Sequence, residues 1–267
     1  MRILFLGDVV GRPGRQLVTT ELPRLRREHN ADFVIVNGEN AAAGFGITKD
    51  TASELFAAGA DCVTTGNHVW AAKGNQPFLE EEIRVLRPAN FAPGLPGRGS
   101  WIYRTESAGT IGVINLVGRI FMDPADCPFR TAMALVEDLS RQCDAIVVDF
   151  HAEATSEKHA LASYLDGRVT AVLGTHTHVQ TADEQVMPGG TAFISDVGMT
   201  GPRGGTTIGV RTDQIIGKFL TGLPVKFEVP KGGPAMLSAV VVEQAPRGMS
   251  AASIRRVQVL TDGAETV

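Results

Sequence analysis

Apolar, β-rich runs alternate with helical patterns through the first two thirds of the chain. Strands are predicted at residues 3–6, 33–36 and 62–65, and later at residues 145–150, 169–173 and 192–195. Helices are predicted at about residues 13–28, 48–58 and 156–165, and a further one near residues 212–220. This alternation is typical of strand–helix–strand crossovers in a sheet that is covered on both faces.

Short β segments interrupt this alternation of strands and helices in the rest of the chain. Residues 101–105 and 111–116 predict a hairpin, and a Gly-rich loop is expected after residue 195. Further strands are predicted at residues 225–229, 237–243 and 257–260. Strands in two blocks favour an α/β protein with two sheets packed face to face and helices outside. Because 267 residues with 43% hydrophobic content supply one large core, we expect a single domain over residues 1–267.

Charge and cysteine content narrow the class of partner and the compartment. The formal net charge of -4 gives no long-range attraction toward phosphate backbones, so no long nucleic acid is expected as a partner. The three cysteines, Cys62, Cys127 and Cys143, form no C-x-x-C pair and favour a reducing cytoplasm. The apolar run before Gly7 is too short for a signal peptide or a membrane span, so no membrane partner is expected. The oligomeric state stays open, and a homo-oligomer is allowed.

Polar residues suited to metal binding follow one predicted strand after another. Ligands gather at the carboxyl ends of strands in open α/β sheets, so these residues should converge in space. Their oxygens and imidazole nitrogens suit manganese, iron or zinc. Seven candidate ligands exceed a single tetrahedral site and favour two ions that share a carboxylate. The ligand candidates are Asp8, Glu39, Asn40, Asn67, His151, His176 and His178, and His68 lies beside them.

Each residue also has a structural explanation when it is taken alone. Asp8 could cap a helix, Asn67 could occupy a left-handed turn, and His151 could be a core histidine. His29 and His159 are interpreted as structural. Two glycine-rich stretches, residues 94–99 and 198–205, are either turns or walls of a substrate pocket, with Arg203 available in the second. The joint pattern favours the metal site.

The motifs resemble those of a known family. Gly7-Asp8, Gly66-Asn67-His68, the lone His151 and the segment 174–178 occur in the order of the calcineurin-like metallophosphoesterases. The amino-acid sequences of residues 7–11, 37–41 and 149–155 are similar to those of the YmdB-like branch of bacterial phosphodiesterases. The resemblance covers nearly the whole chain and implies a four-layer α/β/β/α sandwich with two mixed sheets.

The resemblance also implies roles for individual residues. Asp8, Asn40 and His178 would hold one ion, and Asn67, His151 and His176 the other, with Glu39 bridging them. His68 would donate a proton to the leaving oxygen, a reasonable role for an imidazole beside two cations. The wider superfamily has a histidine where this chain has Val10, and an aspartate where it has Glu39. Asn40 would compensate, in an oxygen-rich site that leaves iron or manganese ahead of zinc.

The leading hypothesis is therefore hydrolysis of a small phosphodiester by a metal-bridging hydroxide, with His68 as the proton donor. The resemblance implies 2′,3′-cyclic nucleotides as substrates, opened at the 2′ bond. Two alternatives remain. One is a phosphomonoesterase such as a nucleotidase, and the other is a regulator that binds nucleotides through its metals without turnover.

Overall fold

The computed structural model describes residues 1–106 and 108–262 of the chain. Its helices are α1 (Gly11–Glu28), α2 (Lys49–Ala57), α3 (Gln76–Glu81), α4 (Pro128–Leu139), α5 (Thr155–Leu165) and α6 (Thr212–Thr221). Its first eight strands are β1 (Arg2–Leu6), β2 (Asp8–Val9), β3 (Phe33–Asn37), β4 (Cys62–Thr64), β5 (Val85–Leu86), β6 (Ser100–Arg104), β7 (Thr110–Val117) and β8 (Ala145–His151). The others are β9 (Ala171–Thr175), β10 (Gln185–Val186), β11 (Ala192–Ile194), β12 (Met199–Pro202), β13 (Thr206–Thr207), β14 (Val210–Arg211), β15 (Ala235–Gln244) and β16 (Ala251–Thr261).

The first large sheet has eight strands and a parallel centre. Its order is β2-β12-β15-β1-β3-β4-β5, and β16 pairs with β15. Strands β1, β3, β4 and β5 run parallel to one another, whereas β15 is antiparallel to β1. The carboxyl ends of β1, β3 and β4 therefore meet at one edge of this sheet.

The second large sheet has six strands in the order β10-β11-β9-β8-β7-β6. Strands β7, β8, β9 and β11 are parallel, and β6 and β10 are antiparallel to their neighbours. The antiparallel pair β6–β7 is the predicted hairpin. A separate two-stranded sheet joins β13 to β14.

Three layers of apolar side chains hold these elements together. The central cluster contains Ile3 and Phe5 from β1 together with Val113 and Val147 from the second sheet, so the two sheets pack face to face. A second cluster joins the outer face of the first sheet to α1 and α2, and a third joins the outer face of the second sheet to α4 and α5. The predicted four-layer α/β/β/α sandwich with two mixed sheets is confirmed. The single domain over residues 1–267 stays a prediction, and it includes Ser107 and residues 263–267, which lie outside the described part.

Local sequence signals explain several element boundaries. Thr48 caps α2 through a reciprocal capping box with Thr51, as the predicted cap required. Gly59, at a φ of 112°, follows the end of that helix. Helix α4, which was not predicted, begins with Pro128 and buries Ala132, Val136 and Leu139 at helical spacing, a signal present in the sequence.

Two predicted elements are wrong. Residues 225–229 are not a strand, because this largely exposed segment lies between Pro224 and Pro230, and only Glu228 offers a carbonyl to a strand residue, Arg211 (3.1 Å). The Gly-rich stretch after residue 195 is not simply a loop, since it contains the buried strand β12. Among the described residues, no helix is long and apolar enough to cross a membrane.

Candidate active site

The predicted site residues converge where the carboxyl ends of both sheets meet. From the first sheet, Asp8 follows β1, Glu39 and Asn40 follow β3, and Asn67 and His68 follow β4. From the second sheet, His151 ends β8, and His176 and His178 follow β9. All eight residues predicted from the sequence are connected by contacts of 3.8 Å or less between their side-chain or backbone atoms.

One group of contacts joins Asp8, Asn40 and His178. Asn40 Nδ2 lies 3.1 Å from His178 Nε2, which in turn lies 3.8 Å from Asp8 Oδ1. Asp8 Oδ2 accepts a hydrogen bond from the backbone N–H of His176 (3.1 Å). These three side chains are the set expected around the first ion, apart from Glu39.

A second group of contacts joins Asn67, His151 and His176. His151 Nε2 lies 3.1 Å from Asn67 Oδ1 and 3.0 Å from His176 Nδ1. It also lies 3.7 Å from Glu39 Oε1. The donor atoms of the second expected set therefore surround one ring nitrogen.

Acceptors behind the rings determine which nitrogen of each histidine faces the site. His178 Nδ1 donates to the Ile208 carbonyl (2.9 Å), so its Nε2 carries the lone pair. His176 Nε2 lies 3.1 Å from Glu153 Oε2, which leaves its Nδ1 as the lone-pair nitrogen. A histidine held by an acceptor on one nitrogen is the usual arrangement around a protein-bound metal.

A buried network behind His151 performs the same task. His151 Nδ1 donates to Thr175 Oγ1 (3.0 Å), which itself donates to Asp149 Oδ1 (2.8 Å). Asp149 Oδ2 also accepts from Thr64 and from Asn37 Nδ2 (2.9 Å). Asp149 and Thr175 lie within the motifs at residues 149–155 and 174–178, but the sequence analysis assigned them no role, because a motif does not show which side chains bond to each other.

In the resulting arrangement, three acceptor atoms face one another with no proton between their lone pairs. His151 Nε2, His176 Nδ1 and Asn67 Oδ1, as oriented, are all acceptors, yet His176 Nδ1 and Asn67 Oδ1 lie 3.0 Å and 3.1 Å from His151 Nε2. Protonation would relieve the conflict, but burial, with the nearby His176 and Lys158, holds the pKa of His151 well below its ordinary value. A cation at this position satisfies the three acceptors at once.

The carboxylates show the same need for positive charge. Asp8 Oδ1 is buried and has no hydrogen-bond partner among the described residues. Burial raises the pKa of Asp8 to about 6 and raises the pKa of Glu39 well above its ordinary value, with Asp8 itself adding to the effect on Glu39. An unpaired buried carboxylate oxygen is costly, so the donor set fits metal ions.

Both carboxylate oxygens of Glu39 are already engaged by backbone amides. Its Oε2 accepts from the backbone N–H of Gly66 and its Oε1 from that of His68. Among residues 1–106 and 108–262, no three His, Cys, Asp or Glu side chains converge as they would around an ion. A bridging role for Glu39 therefore requires its carboxylate to share these oxygens with the backbone amides.

His68 lies beside the donor sets and is half-buried. Its Nδ1 donates to Asn40 Oδ1 (3.0 Å), so Nε2 is the nitrogen available to a substrate. The ring of Phe45 packs edge-on against it, with the ring centroids 5.0 Å apart. Burial, and then the charge of His178, lower the pKa of His68, which makes its protonated form a stronger acid.

The alternative structural explanations fail for Asp8 and Asn67, and His29 and His159 lie outside the site. Asp8 caps no helix, since the N-cap of α1 is Val10, and Asn67 is not among the residues with positive φ. His29 lies against Arg255, and His159 packs on Phe193, so both are outside the site.

The segment after β9 is strained and firmly held. His176 and His178 have φ angles of 102° and 66°, so the segment is not extended as a strand would be. Asp196 Oδ2 accepts from the backbone N–H of Thr177 (2.9 Å) and pairs with the buried Lys158 (2.8 Å). This buried ion pair, which the sequence analysis missed, fixes the turn that presents both histidines.

Val10 and the glycine-rich stretches shape the surroundings. Val10 is buried, and its Cβ lies 2.8 Å from where a Cβ of Gly201 would be, so the β12 backbone fills the space beside it. Residues 94–99 form a turn whose carbonyls at Leu95 and Pro96 accept from the Arg87 side chain. Arg203 pairs with Asp262 (3.1 Å). The first stretch is thus a turn, and Gly201 in the second serves packing.

Comparison with known proteins finds relatives over nearly the whole chain. The family model described as YmdB-like protein matches residues 4–257. The 2′,3′-cyclic-nucleotide 2′-phosphodiesterase of Bacillus subtilis (strain 168) is 47% identical over 262 residues, 98% of each chain. A solved structure from Mycoplasma pneumoniae, described as a novel phosphatase, is 36% identical with a TM-score of 0.91, over 98% of this chain and 94% of that one. The calcineurin-like phosphoesterase YfkN from Bacillus subtilis shares the fold, with a TM-score of 0.58 at 13% identity over 97% and 90% of the two chains.

Proposed function

This chain belongs to the YmdB-like protein family, and from that premise we propose that it is a metal-dependent phosphodiesterase. Its substrates are small phosphodiesters, namely 2′,3′-cyclic nucleotides that are opened at the 2′ bond. The observation that carries the proposal is the set of acceptors around His151 Nε2, which has no proton to bind them together. The name of the 47% identical relative supports the choice of substrate.

Seven side chains would hold two ions, iron or manganese before zinc. Asp8, Asn40 and His178 would bind one, Asn67, His151 and His176 the other, and Glu39 would lie between them. Two such ions supply an activated water, orient the phosphate and stabilise charge on the attacking and leaving oxygens. The chain's own contribution is to hold the imidazoles in fixed tautomers, through Ile208, Glu153 and Thr175.

His68 completes the mechanism as the proton donor. Because its Nδ1–H is engaged by Asn40 Oδ1, the protonated ring of His68 gives up its Nε2 proton to the 2′ oxygen as the bond to phosphorus breaks, and the neutral Nδ1–H form remains. Phe45 covers one edge of the ring and limits its rotation. We also propose that the enzyme works in a reducing cytoplasm, which its three free cysteines support.

The test uses protein stripped by chelator and resupplied with manganese or iron. We expect cleavage of 2′,3′-cyclic nucleotides and of an aryl phosphodiester, and a loss of about 10²–10⁴-fold in turnover for His68→Gln with metal content retained. His159→Gln is the matched control, since that ring packs on Phe193 outside the site. Absence of cleavage of either diester with both metals would refute the proposal.

The same samples distinguish the two alternatives. A nucleotidase would cleave phosphomonoesters faster than matched diesters. A regulator without turnover would bind cyclic nucleotide equally well before and after His68→Gln and would show no rate in either protein.

A further inference from the structure

A basic cavity lies beside His68, outside the metal donor sets. Its volume is about 600 Å³, within the range of small-ligand sites. Gly11, Arg12, Phe45, Ala71 and Lys231 are among the residues that line it. The cavity is therefore large enough for part of a nucleotide.

Part of its wall belongs to the loops that follow Asn40 and His68 in the chain. The Phe45 ring that faces the cavity is also the ring that packs against His68. The backbone N–H of Ala71 donates to the His68 carbonyl (2.8 Å), and that of Gly11 donates to the Asn40 carbonyl (2.9 Å). The cavity thus adjoins the side of the site on which His68 lies.

Positive charge on the cavity wall is uncompensated. Within the described residues, neither Arg12 nor Lys231 forms an ion pair with a carboxylate. The third cation, Arg15, is already paired with Glu54 (2.5 Å). The N-terminal turn of α1, which carries Arg12, contains no acidic residue. The two free cations favour an anionic occupant.

A specific packing contact of Val229 holds the segment that precedes Lys231 at this wall. Val229 approaches Gly11 and Gly44 so closely that a Cβ at either would lie 2.8 Å or 2.6 Å from its methyl carbons. Both glycines also have positive φ, 60° and 100°. Val229 therefore packs against two backbone positions that only glycine suits. This contact places the segment that contains Lys231 against the cavity.

The reaction defines which part of a substrate reaches this side. His68 protonates the leaving 2′ oxygen, so the ribose and its 5′ substituent lie on the side of His68. The single charge of a 2′,3′-cyclic phosphate faces the metal donors and leaves nothing for Arg12 and Lys231 to bind.

We propose that this cavity binds a second phosphate, on the 5′ side of the nucleotide. The favoured substrates are then 2′,3′-cyclic nucleotides with a 5′-phosphate, or short oligoribonucleotides that end in a 2′,3′-cyclic phosphate. The proposal rests on the proposed function for the direction of the substrate, and it is consistent with a net charge of -4 that disfavours long nucleic acid.

A binding experiment tests the cavity apart from catalysis. Calorimetry would measure adenosine 5′-monophosphate and adenosine binding to metal-free protein. We expect the monophosphate to bind about 10–100-fold more tightly than adenosine, and Arg12→Gln/Lys231→Gln to abolish that difference. Arg247→Gln, an exposed arginine on the turn between β15 and β16, is the control and should keep it. Equal affinities in the parent protein would overturn the proposal.

Kinetics then identify the source of the phosphate. The parent enzyme should show a kcat/KM about 10–100-fold higher for 5′-phosphorylated adenosine 2′,3′-cyclic phosphate, or for a dinucleotide with that end, than for the 5′-hydroxyl form. The better of the two identifies a terminal phosphate or an internucleotide diester. A ratio near one, or a ratio that survives in the double variant, contradicts the second-phosphate site. Failure to cleave all three contradicts the proposed function instead, and the binding result still stands.

Discussion

An acceptor atom behind each of three imidazoles determines which ring nitrogen faces the site. The Ile208 carbonyl, the Glu153 carboxylate and the Thr175 hydroxyl each hold one nitrogen and leave the other to the site. The candidate ligands themselves could be predicted, because they follow strands that end at one edge. These outer partners could not, since neither the motifs that contain Glu153 and Thr175 nor the sequence around Ile208 shows which atom an imidazole contacts.

Thr175→Val tests this outer layer at the scale of one hydroxyl. The side chain keeps its shape but loses the group that joins His151 Nδ1 to Asp149. We expect metal affinity to fall by about 10–100-fold, as measured by titration of chelator-treated protein with manganese. Thr200→Val is the control, since Thr200 Oγ1 is buried without a hydrogen-bond partner in the described chain. Equal affinities for the two variants would contradict an orienting role for Thr175.

At the scale of elements, the site depends on how closely the ends of β4 and β8 approach. A Cβ on Gly66 would lie 2.2 Å from Cδ2 of His151. The alternating strands and helices were predictable from their periodicity, as was the hairpin of β6 and β7. Strand β12 was not, because glycine and proline within it read as loop signals. Its place in the sheet comes from pairing with β2 and β15, which lie far apart in sequence.

Gly66→Ala tests the contact between these two elements. The methyl group must displace the His151 ring, so we expect a loss of about 1–3 kcal/mol in the free energy of unfolding and weaker metal binding. Gly217→Ala is the control within α6, where nothing lies within 4 Å of the new Cβ. Gly217→Ala should raise the free energy of unfolding by about 0.5–1 kcal/mol. Denaturant unfolding measures both, and a neutral Gly66→Ala would show that the ends of β4 and β8 separate freely.

At the scale of the whole molecule, the site lies where the two sheets meet, so the charge of its buried carboxyl groups affects how well the sheets pack together. The buried carboxyls come from both sides, Asp8 and Glu39 from the first sheet and Asp149 from the second. Burial raises the pKa of Asp8 to about 6 and that of Asp149 to about 7. Ions at the seam would therefore neutralise repulsion between the two halves of the sandwich.

Metal uptake should consequently release protons. The carboxyl of Asp8 binds metal only when ionised, so metal affinity should fall as the pH drops through about 6. Buried His151 does not compete for protons in this range, because its pKa is lowered. Calorimetry with manganese in buffers of different ionisation enthalpy should find more protons released at pH 6 than at pH 8. A release independent of pH would contradict the raised carboxyl pKa values.

Because β15 is made late, the part of the sheet around the first motif can be completed only near the end of synthesis. Strand β15 runs beside β1, and the Gly7 and Asp8 amides bond to Ser238 and Gly198, residues made long after them. A nascent chain carries its first motif exposed on an unfinished edge until those partners leave the ribosome. Chains arrested before β15 should consequently lack hydrolytic activity, so the reaction starts only after β15 has been made.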